Sequence, residues 1–310
     1  MFDFNHIIFW GIFSVVIGIM LYIDLYATDH RKGKLGVKTS LMWSAVWISI
    51  SLLFNLLLYF YLENGHIKAI QFFAAYVVEK SLSVDNLFVF LMIFEVMGVK
   101  DTHQPHVLKW GILSAIVLRI IFILAGVALL HYFHPIIYIF GLLLFYASYK
   151  MAFGGEDKVD VENNKIIKFL EKHFNLLPAD KSGHIFVKQN KKMFITPLLL
   201  TLVLIESSDL MFAIDSIPAV LAISSDPFVA ITSNIFAILG LRALYFALAG
   251  IVDLFTYLKY GVAIILAYVG VKMLISDYYI ISTEYSLLVI LSILILSIIF
   301  SLILKKNNKN

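Results

Sequence analysis

Glu79-Lys80-Ser81-Leu82-Ser83-Val84-Asp85-Asn86 is a run of acids, a base, hydroxyls and an amide inside a long apolar stretch. A second such run, Glu206-Ser207-Ser208-Asp209-Leu210-Met211-Phe212-Ala213-Ile214-Asp215-Ser216, stands inside another. Ionisable groups deep in an apolar span are costly, so they mark an ion path or a binding site. These two runs decide the fold, because the surrounding residues read as lipid-spanning helix.

The whole chain agrees with that reading. Its 310 residues are 61% hydrophobic and 15% charged, with mean hydropathy +0.91, against about 25% charged for a soluble domain. This points to an all-α polytopic membrane protein, with residues 1–310 forming a single membrane domain. No basic tract is interleaved with aromatics, so the lipid bilayer is the expected partner and nucleic acid is not. Cysteine is absent, which removes disulfides, thiolate ligands and thiol catalysis. The opening Met1-Phe2-Asp3-Phe4-Asn5 lacks the basic segment of a cleaved leader, so the first apolar run reads as a retained helix.

A bilayer crossing takes about 20 mostly apolar residues. Nine stretches qualify: 7–27, 41–62, 69–97, 108–130, 132–151, 195–223, 228–252, 258–276 and 283–304. Sorting the loop lysines and arginines by side puts eighteen on one face and Lys68 alone on the other. The positive-inside rule then places the N-terminus outside and the C-terminus in the cytoplasm. Within the long cytoplasmic loop, 152–193, Val161 to Phe174 has amphipathic helical spacing and His184 to Thr196 reads as a β-hairpin.

The two acidic runs belong to a repeat. Asp85 matches Asp209, Arg119 matches Arg242 and Lys150 matches Lys272, at offsets of 124, 123 and 122 residues. Each unit, about 69–151 and about 195–276, holds three helices, so the second must be inverted relative to the first. Inverted repeats with a site between them are the pattern of alternating-access transporters.

At helical spacing Glu79, Ser83 and Asn86 share a stripe, as do Glu206 and Asp209. Asp215 falls on another face, and Pro218 is expected to kink or unwind that helix, which would let Asp215 and the Ile214 carbonyl turn to the site. Carboxylates, amides, hydroxyls and carbonyls suit hard divalent cations, Mn²⁺, Mg²⁺ or Ca²⁺, with no organic cofactor. Five acids against Lys80, Arg119 and Arg242 leave two negative charges for one such ion. The alternative for each acid is a structural ion pair, Asp85 with Arg119 or Asp209 with Arg242. Asp24, ending the first span, reads as interfacial.

Taken together, Glu79 to Val89 (ending Leu87-Phe88-Val89) and Glu206 to Ala219 (ending Ile217-Pro218-Ala219) resemble the paired signature of the TerC/Alx family of integral membrane proteins. The resemblance extends over nearly the whole chain. It implies a fold related to lysine exporters, residence in the bacterial inner membrane, and a link to Mn²⁺ efflux and tellurium resistance. It further implies that Glu79, Asp85, Asn86, Glu206, Asp209 and Asp215 form the metal path. Lys80, Ser83, Arg119, Ser207, Ser208, Ser216 and Arg242 supply the charges and hydroxyls beside them. A tellurium oxyanion would favour arginines without so many carboxylates.

The expected function is export of a divalent cation, Mn²⁺ first. Transport direction comes from the resemblance alone. The alternative is a membrane scaffold for metal or tellurite stress that recruits partners through 152–193. An enzyme is not expected, since neither Asp85 nor Asp209 has the Gly-x-Gly-Asp setting of intramembrane aspartyl proteases.

Overall fold

In the computed structural model the described residues are 4–27, 36–133, 135–153, 168, 175–176, 184–189, 192–249, 258–279 and 281–307. They form α1 (Phe4–Tyr22) running into a π-helical turn (Ile23–Ala27), α2 (Val37–Tyr61), α3 (Gly65–Val96), α4 (Gln104–Tyr132) and α5 (Ile136–Phe153). Strands β1 (Asn175–Leu176), β2 (Phe186–Gln189) and β3 (Lys192–Ile195) follow. The chain continues as α6 (Pro197–Ile223), α7 (Pro227–Ile238), α8 (Leu241–Ala249), α9 (Leu258–Leu274) and α10 (Thr283–Asn307).

Each stretch that the sequence marks as a span holds helix among the described residues. Seven segments are long and apolar enough to cross a membrane, among the described residues, with α7 and α8 together making one of them. Two expected spans fall short of that measure. The middle of α3 carries Glu79, Lys80 and Asp85, and α9 has 17 residues. The hairpin forms as expected, β2 antiparallel to β3 with Phe186 opposite Ile195, and β1 adds in parallel on the other side of β3. The amphipathic stretch 161–174 lies outside the described residues apart from Lys168.

Proline marks three starts. Pro105, Pro197 and Pro227 stand in the first turns of α4, α6 and α7, where a missing N–H costs nothing. Pro218 does not unwind its helix. The α6 helix runs through it to Ile223, because one lost backbone bond is tolerated where Ile217, Ala219, Val220 and Leu221 are packed in the core.

The break falls instead between α7 and α8. Gly240 there has φ +80°, and a Cβ on it would stand 2.6 Å from the Trp47 ring. Both conditions require glycine. Lys80 covers the broken end, donating from Nζ to the carbonyls of Ala237 (2.9 Å) and Leu239 (3.4 Å), a cation at a helix C-terminus.

Contacts fix the relative directions of the helices. Lys68 pairs with Asp226 at 3.1 Å and, farther along both helices, Glu79 meets Asn234, so α3 and α7 run parallel. Gln71 accepts from Ser224, just past the end of α6, so α3 and α6 run antiparallel. In the other direction, a Cβ on Gly141 would touch Leu274 and the Gly270 carbonyl, while Ser148 donates to the carbonyl of Ala263. Helices α5 and α9 are therefore antiparallel.

A Cβ on Gly270 would come within 3.0 Å of the Gly141 carbonyl. Gly270→Ala is expected to push α5 from α9 at a cost of about 1–3 kcal/mol, read as a lower thermal unfolding midpoint in detergent. Gly11→Ala, with open space around it, should leave the midpoint unchanged or raised.

The apolar core is divided in two. The larger cluster includes Phe54, Phe72, Leu82, Ile123, Ala213, Ile217 and Phe236, and the smaller includes Leu87, Phe90, Leu108, Leu204, Ile205 and Tyr245. On α3, α4, α6 and at the α7–α8 break, the chain passes from one cluster to the other across polar residues. That polar layer holds the site.

Candidate functional site

Four helices bring polar groups to the layer. From α3 come Ser83 and Asn86, from α4 Arg119, from α6 Glu206 and Asp209, and from the start of α8 Arg242. All six line one narrow cavity, walled by apolar side chains such as Leu87, Phe90, Ile112 and Ile205. The space admits about one water-sized body. The two acidic runs, some 120 residues apart in sequence, thus share one chamber.

Arg119, 1% exposed, organises the deeper side. Its Nη1 donates to Glu79 Oε1 at 2.5 Å, to Ser216 Oγ at 2.8 Å and to Asn234 Oδ1 at 3.2 Å. Its Nη2 faces Asp209 Oδ1 at 3.7 Å, an ion pair beyond hydrogen-bond distance. Glu79 is fully buried, and its second oxygen accepts from Asn234 Nδ2 at 3.2 Å. Both Glu79 oxygens are thus engaged, and Glu79 stands behind Arg119 and does not line the cavity.

The shallower side has oxygens to spare. Glu206 Oε1 accepts from Ser114 Oγ at 2.5 Å, while Glu206 Oε2 and Ser83 Oγ are buried with no hydrogen-bond partner among the described residues. A buried carboxylate oxygen left in that condition is costly and available to a ligand. Ser207 and Ser208 are turned back on α6, donating to the carbonyls of Val203 (2.7 Å) and Leu204 (3.0 Å). Ser216 faces Arg119 and Lys80 serves the α7–α8 break.

Asp85 and Asp215 are helical, and their side chains lie outside the described set. Among the described residues no group of three or more acids or histidines is arranged to hold a metal. The oxygens that face the cavity are instead mixed, carboxylate with amide and hydroxyl.

Arginine pairing differs from the sequence expectation. Asp209 faces Arg119, whereas Arg242 donates from Nη1 to the Asp24 carbonyl at 3.0 Å and pairs with Asp24 Oδ2 at 3.5 Å. Asp24 is 2% exposed within the protein, where the π-helical turn at the end of α1 brings it to Arg242. Among the described residues Asp24 answers the Arg242 charge, and Arg242 also lines the cavity.

Three site residues escape the sequence reading: Asn234, Ser114 and Asp24. Thr232, Ser233 and Asn234, all 0% exposed, form a polar triplet inside an apolar span, and that signal was legible. Ser114 gives no such signal.

A model of the TerC family, described as integral membrane protein TerC family, matches residues 64–309. The chain belongs to the TerC family. It is a multi-pass integral membrane protein of a bacterial kind. Among TerC relatives, the "Putative membrane-bound redox modulator Alx" of Shigella flexneri is 44% identical over 299 residues, covering 94% of this chain and 93% of its own. The protein of the same name from Escherichia coli K12 gives the same figures. An uncharacterized membrane protein of Myxococcus xanthus is 42% identical over 294 residues, covering 95% and 92%. No solved structure matches this TerC chain.

Proposed function

We propose that this TerC-family protein carries a divalent metal cation, Mn²⁺ foremost, out of the cytoplasm by alternating access of two inverted three-helix units. The observation that supports it most is the shared chamber, where Ser83 and Asn86 of the first run meet Glu206 and Asp209 of the second. Oxygen donors of mixed type suit a hard cation that prefers six or so oxygen ligands and keeps some of its water. Asp85 and Asp215 complete the expected ligand set.

On this reading the chain crosses the membrane nine times, α3 and α9 included, with its N-terminus outside and its C-terminus in the cytoplasm. The antiparallel pairing of α3 with α6 and of α5 with α9 is what inverted units require. The protein is a carrier and not an enzyme, and the metal is its cargo. A redox influence of the kind the relatives' name describes would reach this chain through the metal, because with no cysteine it has no thiol to exchange.

The deciding experiment is metal uptake by proteoliposomes across a panel of divalent ions, with internal pH recorded. Saturable Mn²⁺ flux is expected. Absence of flux for every ion, from correctly inserted protein, would refute the proposal and favour the scaffold.

Ser114 is expected to tune the site by holding one Glu206 oxygen and leaving the other to the cavity. A hydrogen bond to a charged group is worth about 1.5–3 kcal/mol. Ser114→Ala should therefore weaken Mn²⁺ binding by roughly tenfold or more, measured by titration calorimetry. Ser114→Thr, which keeps the hydroxyl, should stay near the parent value.

A further inference from the structure

We infer that Arg119 is a tethered cation that competes with the metal for Asp209, and that Glu79 is its anchor and not a metal ligand. This rests on the proposed carrier function and gives that site its means of release.

The geometry is asymmetric. On one side Arg119 is gripped by three acceptors, Glu79, Ser216 and Asn234, at 2.5 to 3.2 Å. On the other, the pair with Asp209 is loose at 3.7 Å. Glu79 is fully buried, spends both oxygens on Arg119 and Asn234, and does not line the cavity where a cargo ion would sit. Asp209 and Arg119 both line the cavity.

A divalent cation and a guanidinium drawn to Asp209 at close range oppose each other, since like charges in a poorly screened interior repel strongly. Arrival of the metal draws Asp209 from Arg119, and Glu79, Ser216 and Asn234 keep the arginine from following. Return of Arg119 to Asp209 expels the metal and leaves the chamber charge-compensated. That matters to a carrier that must also reorient without cargo, because bare carboxylates at mid-membrane are costly.

The test is Mn²⁺ titration calorimetry on detergent-purified protein, paired with proteoliposome flux. In Glu79→Gln/Arg119→Gln the corner keeps its net charge and loses the competitor. This double variant is expected to bind Mn²⁺ at least tenfold more tightly than the parent and to transport at least tenfold more slowly. A lysine ammonium makes a point contact and cannot fork across two carboxylates. Arg119→Lys therefore keeps the counterion of Glu79, and with it the fold, and should bind Mn²⁺ severalfold more tightly.

A purely structural role for Arg119 predicts weaker binding and slower flux together. A ligand role for Glu79 predicts weaker binding in the double variant. Unchanged or weaker binding in both variants, with the parent binding normally, overturns the competitor. A parent that binds no divalent ion overturns the carrier function itself, and with it this inference.

Discussion

Asp209→Asn is expected to reduce Mn²⁺ transport to background while the protein still inserts and accumulates. The substitution keeps shape and removes one charge from a carboxylate that lines the cavity. At an effective dielectric near 20, a pair of unit charges about 4 Å apart is worth about 4 kcal/mol. The partial offset from Arg119, 3.7 Å away, still leaves a loss of ~100-fold or more in metal affinity. The fold should survive, because Arg119 retains its shorter contact with Glu79. Proteoliposome flux and the thermal unfolding midpoint separate the two quantities. Normal flux through Asp209→Asn would remove Asp209 from the path.

The second large effect concerns stability and lies outside both acidic runs. Asp24 and Arg242 are 2% and 1% exposed and pair at 3.5 Å. Removing one member of such a pair strands a buried charge, at about 3–5 kcal/mol. Asp24→Leu should therefore lower the unfolding midpoint steeply. Asp24→Leu/Arg242→Met should recover most of the loss, because apolar residues of similar size can replace a buried ion pair at little net cost. Equal destabilisation by the single and double variants would show that Arg242 is held chiefly by something other than Asp24.

Much of this fold was legible in the amino-acid order. Long apolar runs located the long helices among the described residues, and alternation around a polar turn located the β2–β3 hairpin. The convergence of Ser83, Asn86, Glu206 and Asp209 followed from their stripes and the repeat. Partner choice was harder to read. Two arginines at matching repeat positions suggested matching aspartate partners, yet Arg119 pairs chiefly with Glu79 and Arg242 with Asp24. Side-chain reach between helices distant in sequence decides such pairs, and no spacing rule encodes it. At Pro218 the helix does not unwind, since that outcome depends on whether neighbours hold it together. The actual break needed Gly240, the Trp47 ring beside it and Lys80 beneath it.

That break bears on where this protein can be cut. The TerC match begins at residue 64, which leaves α1 and α2 outside it. Yet Asp24, in the turn that ends α1, balances the Arg242 charge, and Trp47 of α2 abuts Gly240. A chain trimmed to the matched region would take Asp24 from Arg242 and unseat the joint beside it. The first 63 residues are thus part of the machine's frame, whatever boundary a family description draws.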